Sequence, residues 1–118
     1  MEFAGAYNPL YIVRDNGLTV IHGDKNAISL FASREIPYKN HVFSLEPGDI
    51  IYMFSDGMAD QFGWKTGKKF KYKQMQELFL ELNELPLEAQ HMVVKKTFLA
   101  WKGDLEQVDD VLVLGIKV

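Results

Sequence analysis

Two places in this 118-residue sequence set carboxylates where they could do chemistry. The first is Asp56-Gly57 in "DIIYMFSDGMADQF", residues 49–62, directly after the apolar run Ile50 to Phe54. The second is Asp109-Asp110, directly before the apolar run Val111 to Leu114. Hard divalent cations such as Mg2+ and Mn2+ take oxygen ligands, and carboxylates suit them best. If the two runs are antiparallel neighbours, the end of one lies beside the start of the other. Asp56 then meets Asp109 or Asp110 at one sheet edge, where like charges repel and favour a cation between them. Each signal alone has a plainer reading. Asp-Gly after a strand is a common turn, Asp56 could cap a helix starting near Met58, and Asp109-Asp110 could be a solvated lead into a strand. The conjunction of the two points to a metal.

Other chemistry-bearing residues carry less. Asp104, Glu106 and Asp110 lack the glycine and terminal glutamate of a calcium loop. His22, His41 and His91 are scattered, and Ser55 has no evident histidine to activate it as a nucleophile. Lysines 65, 68, 69, 71 and 73, with Phe70 and Tyr72, read as a solvated loop entering a helix. Near a metal edge they could also draw in an anionic substrate.

Composition bounds the setting. Net charge is −3, which argues against nucleic acid as a partner. There is no cysteine, so disulfides and thiolate zinc sites are excluded and a cytoplasmic setting is compatible. No apolar run reaches the roughly 18–20 residues of a membrane span, and the N-terminus is not a signal peptide.

The carboxylates must be positioned by local elements. Residues 2–6 read as a strand ending near Asn8-Pro9. Runs 10–14 and 18–22 flank Asp15-Asn16-Gly17, the clearest hairpin, because Asn-Gly supplies the positive φ of a tight turn. A short strand is expected around Ala27–Phe31. Runs 41–45 and 49–55 flank Glu46-Pro47-Gly48 and read as a second hairpin. Met58 to Phe62 forms a short helix. Tyr72, Met75, Leu78, Phe79 and Leu82 recur at helical spacing, so 72–83 is an amphipathic helix. A second runs from Pro86 to about Lys102, closed by Gly103. Val111 to Leu114 is the last strand. Runs 50–54 and 111–114 do not alternate, so both are expected to be covered on both faces. Hairpin-linked strands so covered imply an α+β fold. It reads as all or part of a four-layer α/β/β/α sandwich with mostly antiparallel strands.

At this point the residues resemble a known family. "YMFSDGMADQFG", followed after two helices by "GDLEQVDDVLVLGIKV", is similar to the C-terminal half of the metal-dependent protein phosphatases (PPM). The nearer likeness is to their bacterial branch, the stage II sporulation protein E-like (SpoIIE) serine phosphatases. "FAGAYNPLYIVR" and "LEPGDIIYMFSDG" continue in the expected order, so the resemblance spans the whole chain. It implies the sandwich, two Mn2+ or Mg2+ ions, and hydrolysis of phosphoserine or phosphothreonine by a metal-activated water in bacterial signalling. By position Asp56 and Asp109 match metal ligands. Gly57 would allow close backbone approach, Asp110 would lie behind the ligands or bind through water, and Asp60, where the branch often carries an acidic residue, is structural first and otherwise a residue behind the ligands at the metal edge. The implied substrate is a phosphoprotein such as an anti-sigma-factor antagonist-like protein.

The family's other ligands lie in an Asp-Gly-His-Gly-type segment, and Asp56-Gly57 is the sole Asp-Gly pair here. "GDKNAISLF" also carries Ala27 and Ser29 where the family has Pro and Gly. Residues 1–118 are therefore expected to be one partial domain, the C-terminal half, with the N-terminal half missing. Alone they should bind metal weakly and lack activity, and an open strand edge should favour a homodimer. The alternatives are a non-catalytic phosphatase-like scaffold or signalling output module, and an unrelated binding domain in which Asp56 is merely a cap.

Overall fold

A computed structural model describes residues 1–29 and 37–118. A hairpin forms where Asp15-Asn16-Gly17 predicts one, but its turn is centred on Asp15-Asn16 and not on Asn16-Gly17: Gly17 is the first residue of the returning strand, paired with Arg14, and is not at positive φ. Strands β2 (Leu10–Arg14) and β3 (Gly17–Ile21) pair antiparallel, and Asp15 and Asn16 both take positive φ, 45° and 62°. Strand β5 (Ile50–Phe54) pairs antiparallel with β2 on one side and with β6 (Val113–Lys117) on the other. The resulting sheet has the order β3-β2-β5-β6.

Side chains alternate across this sheet, and each face meets a different layer. Tyr11, Val13, Ile50, Tyr52 and Phe54 face helices α2 (Lys71–Glu81) and α3 (Leu87–Lys102). Met75, Leu78 and Phe79 of α2 recur at helical spacing and are buried there. Phe79 stacks on Tyr52 with ring centroids 4.3 Å apart, and Tyr11 meets Phe54 edge-on at 4.7 Å. Inside this core the Tyr52 hydroxyl donates to Gln90 Oε1 at 2.6 Å, and Gln90 Nε2 donates to the Leu82 and Leu85 carbonyls. On the opposite face Leu10, Ile12 and Ile51 pack with Phe3, Ile21, Phe43, Leu45 and Met53. There β1 (Glu2–Phe3) and β4 (His41–Val42) form a small second sheet. The fold is thus α+β with antiparallel strands, and among the described residues the helices, the four-stranded sheet and the small sheet form three layers.

Several boundaries move. The first strand is shorter than 2–6, with Ala6 making only an isolated bridge to Asp24. Residues 27–29 are not a strand, and the rest of that expected element, residues 30–31, lies outside the described residues. The first short helix, α1, spans Gly57–Asp60. A 3-10 turn over Leu82–Glu84 follows α2. Gly103 ends α3 as expected, with φ 54° and its N–H on the Leu99 carbonyl.

Two expectations are corrected. Runs 41–45 and 49–55 are not a hairpin: β4 pairs with β1, and β5 has β2 and β6 on its two sides. The turn chemistry is present, with Gly48 at φ 99°. The cause is Arg14. It donates to the Asp49 carboxylate at 2.8 and 2.6 Å, to Glu46 Oε1 at 2.6 Å and to the Ser44 carbonyl at 3.1 Å, which holds 44–49 as a loop. The second correction is burial. Run 50–54 is covered on both faces, but Leu112 is 65% and Leu114 46% exposed, because β6 is an edge strand with cover on its helix side alone among the described residues.

Candidate metal centre

Strand order decides whether the two acidic stretches meet. In the β5–β6 ladder Phe54 lies opposite Val113, and Ser55 N–H continues the pairing to the Leu112 carbonyl at 3.1 Å. The chain then turns at Asp56 into α1. Gly57 is buried directly against the backbone of the opposite segment. A Cβ added there would lie 2.8 Å from the Asp110 carbonyl carbon and 3.2 Å from the Asp109 oxygen. Only a glycine allows this approach. Asp56-Gly57 and Asp109-Asp110 are therefore packed backbone to backbone at one edge of the sheet.

The side chains at this edge differ in what they can do. Asp56, Asp109 and Asp110 are exposed. Asp56 precedes α1 yet makes no side-chain cap hydrogen bond, so the cap reading has no bond to support it. Asp109 Oδ1 accepts the Asp110 N–H at 2.7 Å. Among the described residues none of the three pairs with a cation. Asp60 does: its Oδ1 takes Lys69 Nζ at 2.7 Å, and Lys69 also lies 5.9 Å above the Phe62 ring. Asp60 is thus held in an ion pair beside the edge, in keeping with a structural role. Tyr72 flanks the same acids. Burial first, then the charges of Asp56 and Asp60, push its hydroxyl pKa above the ordinary value.

Exposed carboxylates without cation partners, carried on two segments whose backbones are packed together, suit a hard cation such as Mg2+ or Mn2+, which keeps several waters. Asp56 and Asp109 are the residues that would hold it. Among the described residues no group of three or more His, Asp or Glu converges to complete such a site.

Two residues at this edge carry roles that sequence reasoning missed. The Ser55 hydroxyl donates to the Asp110 carbonyl at 2.7 Å and accepts the Leu112 N–H at 2.9 Å, so it links the two segments through their main chain. Gln61 is fully buried. Its Nε2 donates to the Glu106 carbonyl at 2.9 Å, and its Oε1 accepts the Val108 N–H at 3.3 Å. Its main-chain oxygen accepts Trp101 Nε1 and the Phe70 N–H. A glutamine after a short helix carries no periodic or spacing signal. Ser55 is weighed in the sequence as a nucleophile, and only the predicted strand-end pairing could have pointed to its linking role.

Comparisons with known proteins bear on the family and the fold. The family model "Stage II sporulation protein E (SpoIIE)" matches residues 1–118. The solved SiaA-PP2C domain of Pseudomonas aeruginosa superposes with a TM-score of 0.89 at 27% identity, over 99% of this chain and 46% of that one. A Bacillus subtilis structure of the PP2C phosphatase domain and a fragment of the regulatory domain of SpoIIE gives 0.74 at 19% identity, over 99% and 33%. The B. subtilis SpoIIE phosphatase domain in a crystal form without domain swapping gives 0.62 at 18% identity, over 98% and 48%. The chain spans less than half the length of each of these. No curated protein matches significantly.

Proposed function

This chain belongs to the stage II sporulation protein E (SpoIIE) family, and on that premise we propose that it supplies one carboxylate-bearing part of a metal-dependent protein serine/threonine phosphatase. The observation that carries this reading is the packing of Gly57 against the Asp109-Asp110 backbone, which sets two unpaired aspartates at one edge. Asp56 and Asp109 hold Mn2+ or Mg2+ by their carboxylates, while Gly57 keeps the two segments in contact. Bound divalent metal supplies the Lewis acidity that makes a water nucleophilic towards phosphorus at neutral pH. Asp110 shapes the Asp109 turn, and Asp60, neutralised by Lys69, stays out of the ligand set. The substrate is a phosphoserine or phosphothreonine protein of a bacterial signalling pathway, of the anti-sigma-factor antagonist type. With two arms among the described residues, the 118-residue chain binds metal weakly and is inactive alone.

The test pairs binding with turnover. Mn2+ titration should give weak saturable binding that Asp56→Asn removes, and a phosphoserine peptide should not be hydrolysed. Robust Mn2+-dependent hydrolysis by the chain would contradict the partial-site reading. A non-catalytic output module is the second reading, favoured by the lack of a third ligand among the described residues. It is preferred if no Mn2+ binds.

A further inference from the structure

The segment that carries Asp109 has little structure of its own. Residues 104–112 lie between α3 and β6 and belong to no helix or strand. An exposed carboxylate on such a segment would wander unless something fixed it. Two side chains reach into it from the stretch that carries Asp56, and they grip it on either side of Asp109. Ser55 Oγ holds the Asp110 carbonyl and the Leu112 N–H. Gln61 holds the Glu106 carbonyl and the Val108 N–H. Ser55 is the residue before Asp56, and Gln61 follows the four-residue helix α1 that Asp56 begins.

We propose that Ser55 and Gln61 form a two-point clamp that sets Asp109 against Asp56, making both of them positioning residues for the carboxylate pair. Three features support this. Gln61 is a fully buried amide whose Nε2 donates to the Glu106 and Phe62 carbonyls and whose Oε1 accepts the Val108 N–H, so burial without the 106–108 segment would leave its oxygen and one N–H unmet. Its main-chain oxygen is itself anchored by Trp101 Nε1 at 2.9 Å and Phe70 N–H at 3.0 Å, so the clamp rests on α3 and on the start of α2. The Ser55 bonds are likewise both to main chain, which fixes the path of residues 110–112 whatever their side chains do.

The consequence for metal rests on the proposed function, and two readouts separate the ideas. Partners that orient metal ligands typically change affinity by about 10–100-fold when removed. Ser55→Ala and Gln61→Ala should each weaken Mn2+ binding by about 10-fold or more, while Ser55→Thr, which keeps the hydroxyl, restores it. Amide hydrogen exchange supplies the second readout. Val108 should exchange faster in Gln61→Ala, and Leu112 in Ser55→Ala, with Phe79 in α2 unchanged as a control for global unfolding. If Gln61→Ala fails to fold, Gln61→Glu serves, because it keeps the acceptor for Val108 and loses the donor to Glu106. Wild-type exchange at residues 106–112 in the variants would overturn the clamp. Faster exchange together with unchanged Mn2+ affinity would overturn its positioning role. If the wild-type chain binds no Mn2+, the metal reading fails, and the exchange pattern alone decides for or against the clamp.

Discussion

Gly57 is the position where the smallest change has the clearest expected effect. Gly57→Ala would drive a methyl group into the Asp110 backbone, so something must shift. Overpacking of this kind costs about 1–3 kcal/mol, readable by urea unfolding, and here it should also weaken Mn2+ binding. Asp56→Asn should behave in the opposite way. Asp56 is exposed and caps nothing, so stability should stay within about 0.5 kcal/mol of wild type while metal binding is lost. A stability loss of about 1 kcal/mol without any metal effect would restore the cap reading. Asp49 supplies a pH test away from the edge. The hydrogen bonds from Arg14 hold its carboxyl below the ordinary value despite burial. A depressed carboxylate contributes stability above its unfolded pKa of about 3.9 and loses it as pH falls through the lower folded value. Arg14→Gln should therefore flatten the acid limb of the stability curve, measured by thermal unfolding from pH 5 downward. At this scale the aspartates and Gly57 could be read from the sequence, because strand ends followed by Asp-Gly and preceded by Asp-Asp are local patterns. Gln61 could not, because its importance comes from a segment 45 residues away.

Among the elements, β2, β3, α2 and α3 follow from turn residues and helical spacing, and the structure places each within a few residues of the expected range. Their union rests on aromatic packing. Phe79 is fully buried against Tyr11, Tyr52 and Phe54, and Phe79→Ala should cost about 3–5 kcal/mol in denaturant unfolding. The pairing of β4 was not readable. Glu46-Pro47-Gly48 is a genuine turn, but a turn fixes only the chain reversal. Which strand β5 pairs with was decided elsewhere, by Arg14 binding the 44–49 loop and by β2 and β6 filling both sides of β5. The apolar run at 111–114 misled for a related reason. A run of apolar residues predicts cover on both faces, whereas among the described residues Leu112 and Leu114 stay exposed on the face away from the helices.

For the whole molecule, that face and the edge of β6 that is unpaired among the described residues bear on assembly. Leu112, Leu114, Ile116 and Val118 are all exposed, and among the described residues β6 pairs only with β5. An uncovered apolar edge strand templates pairing with another chain. The 118-residue chain is therefore expected to self-associate, and a Leu114→Lys, Ile116→Lys double variant should sediment as monomer with its fold intact. Monomeric wild type would show that the edge is protected. No described helix is long and apolar enough to cross a membrane. The central claim concerns what the two acidic arms do together. It is tested most directly by following amide signals during Mn2+ titration of the 118-residue chain. A site shared by Asp56 and Asp109 predicts paramagnetic broadening confined to residues near 55–60 and 108–112, abolished by either Asp56→Asn or Asp109→Asn. Broadening that is absent, centred elsewhere, or unchanged in Asp56→Asn would contradict it.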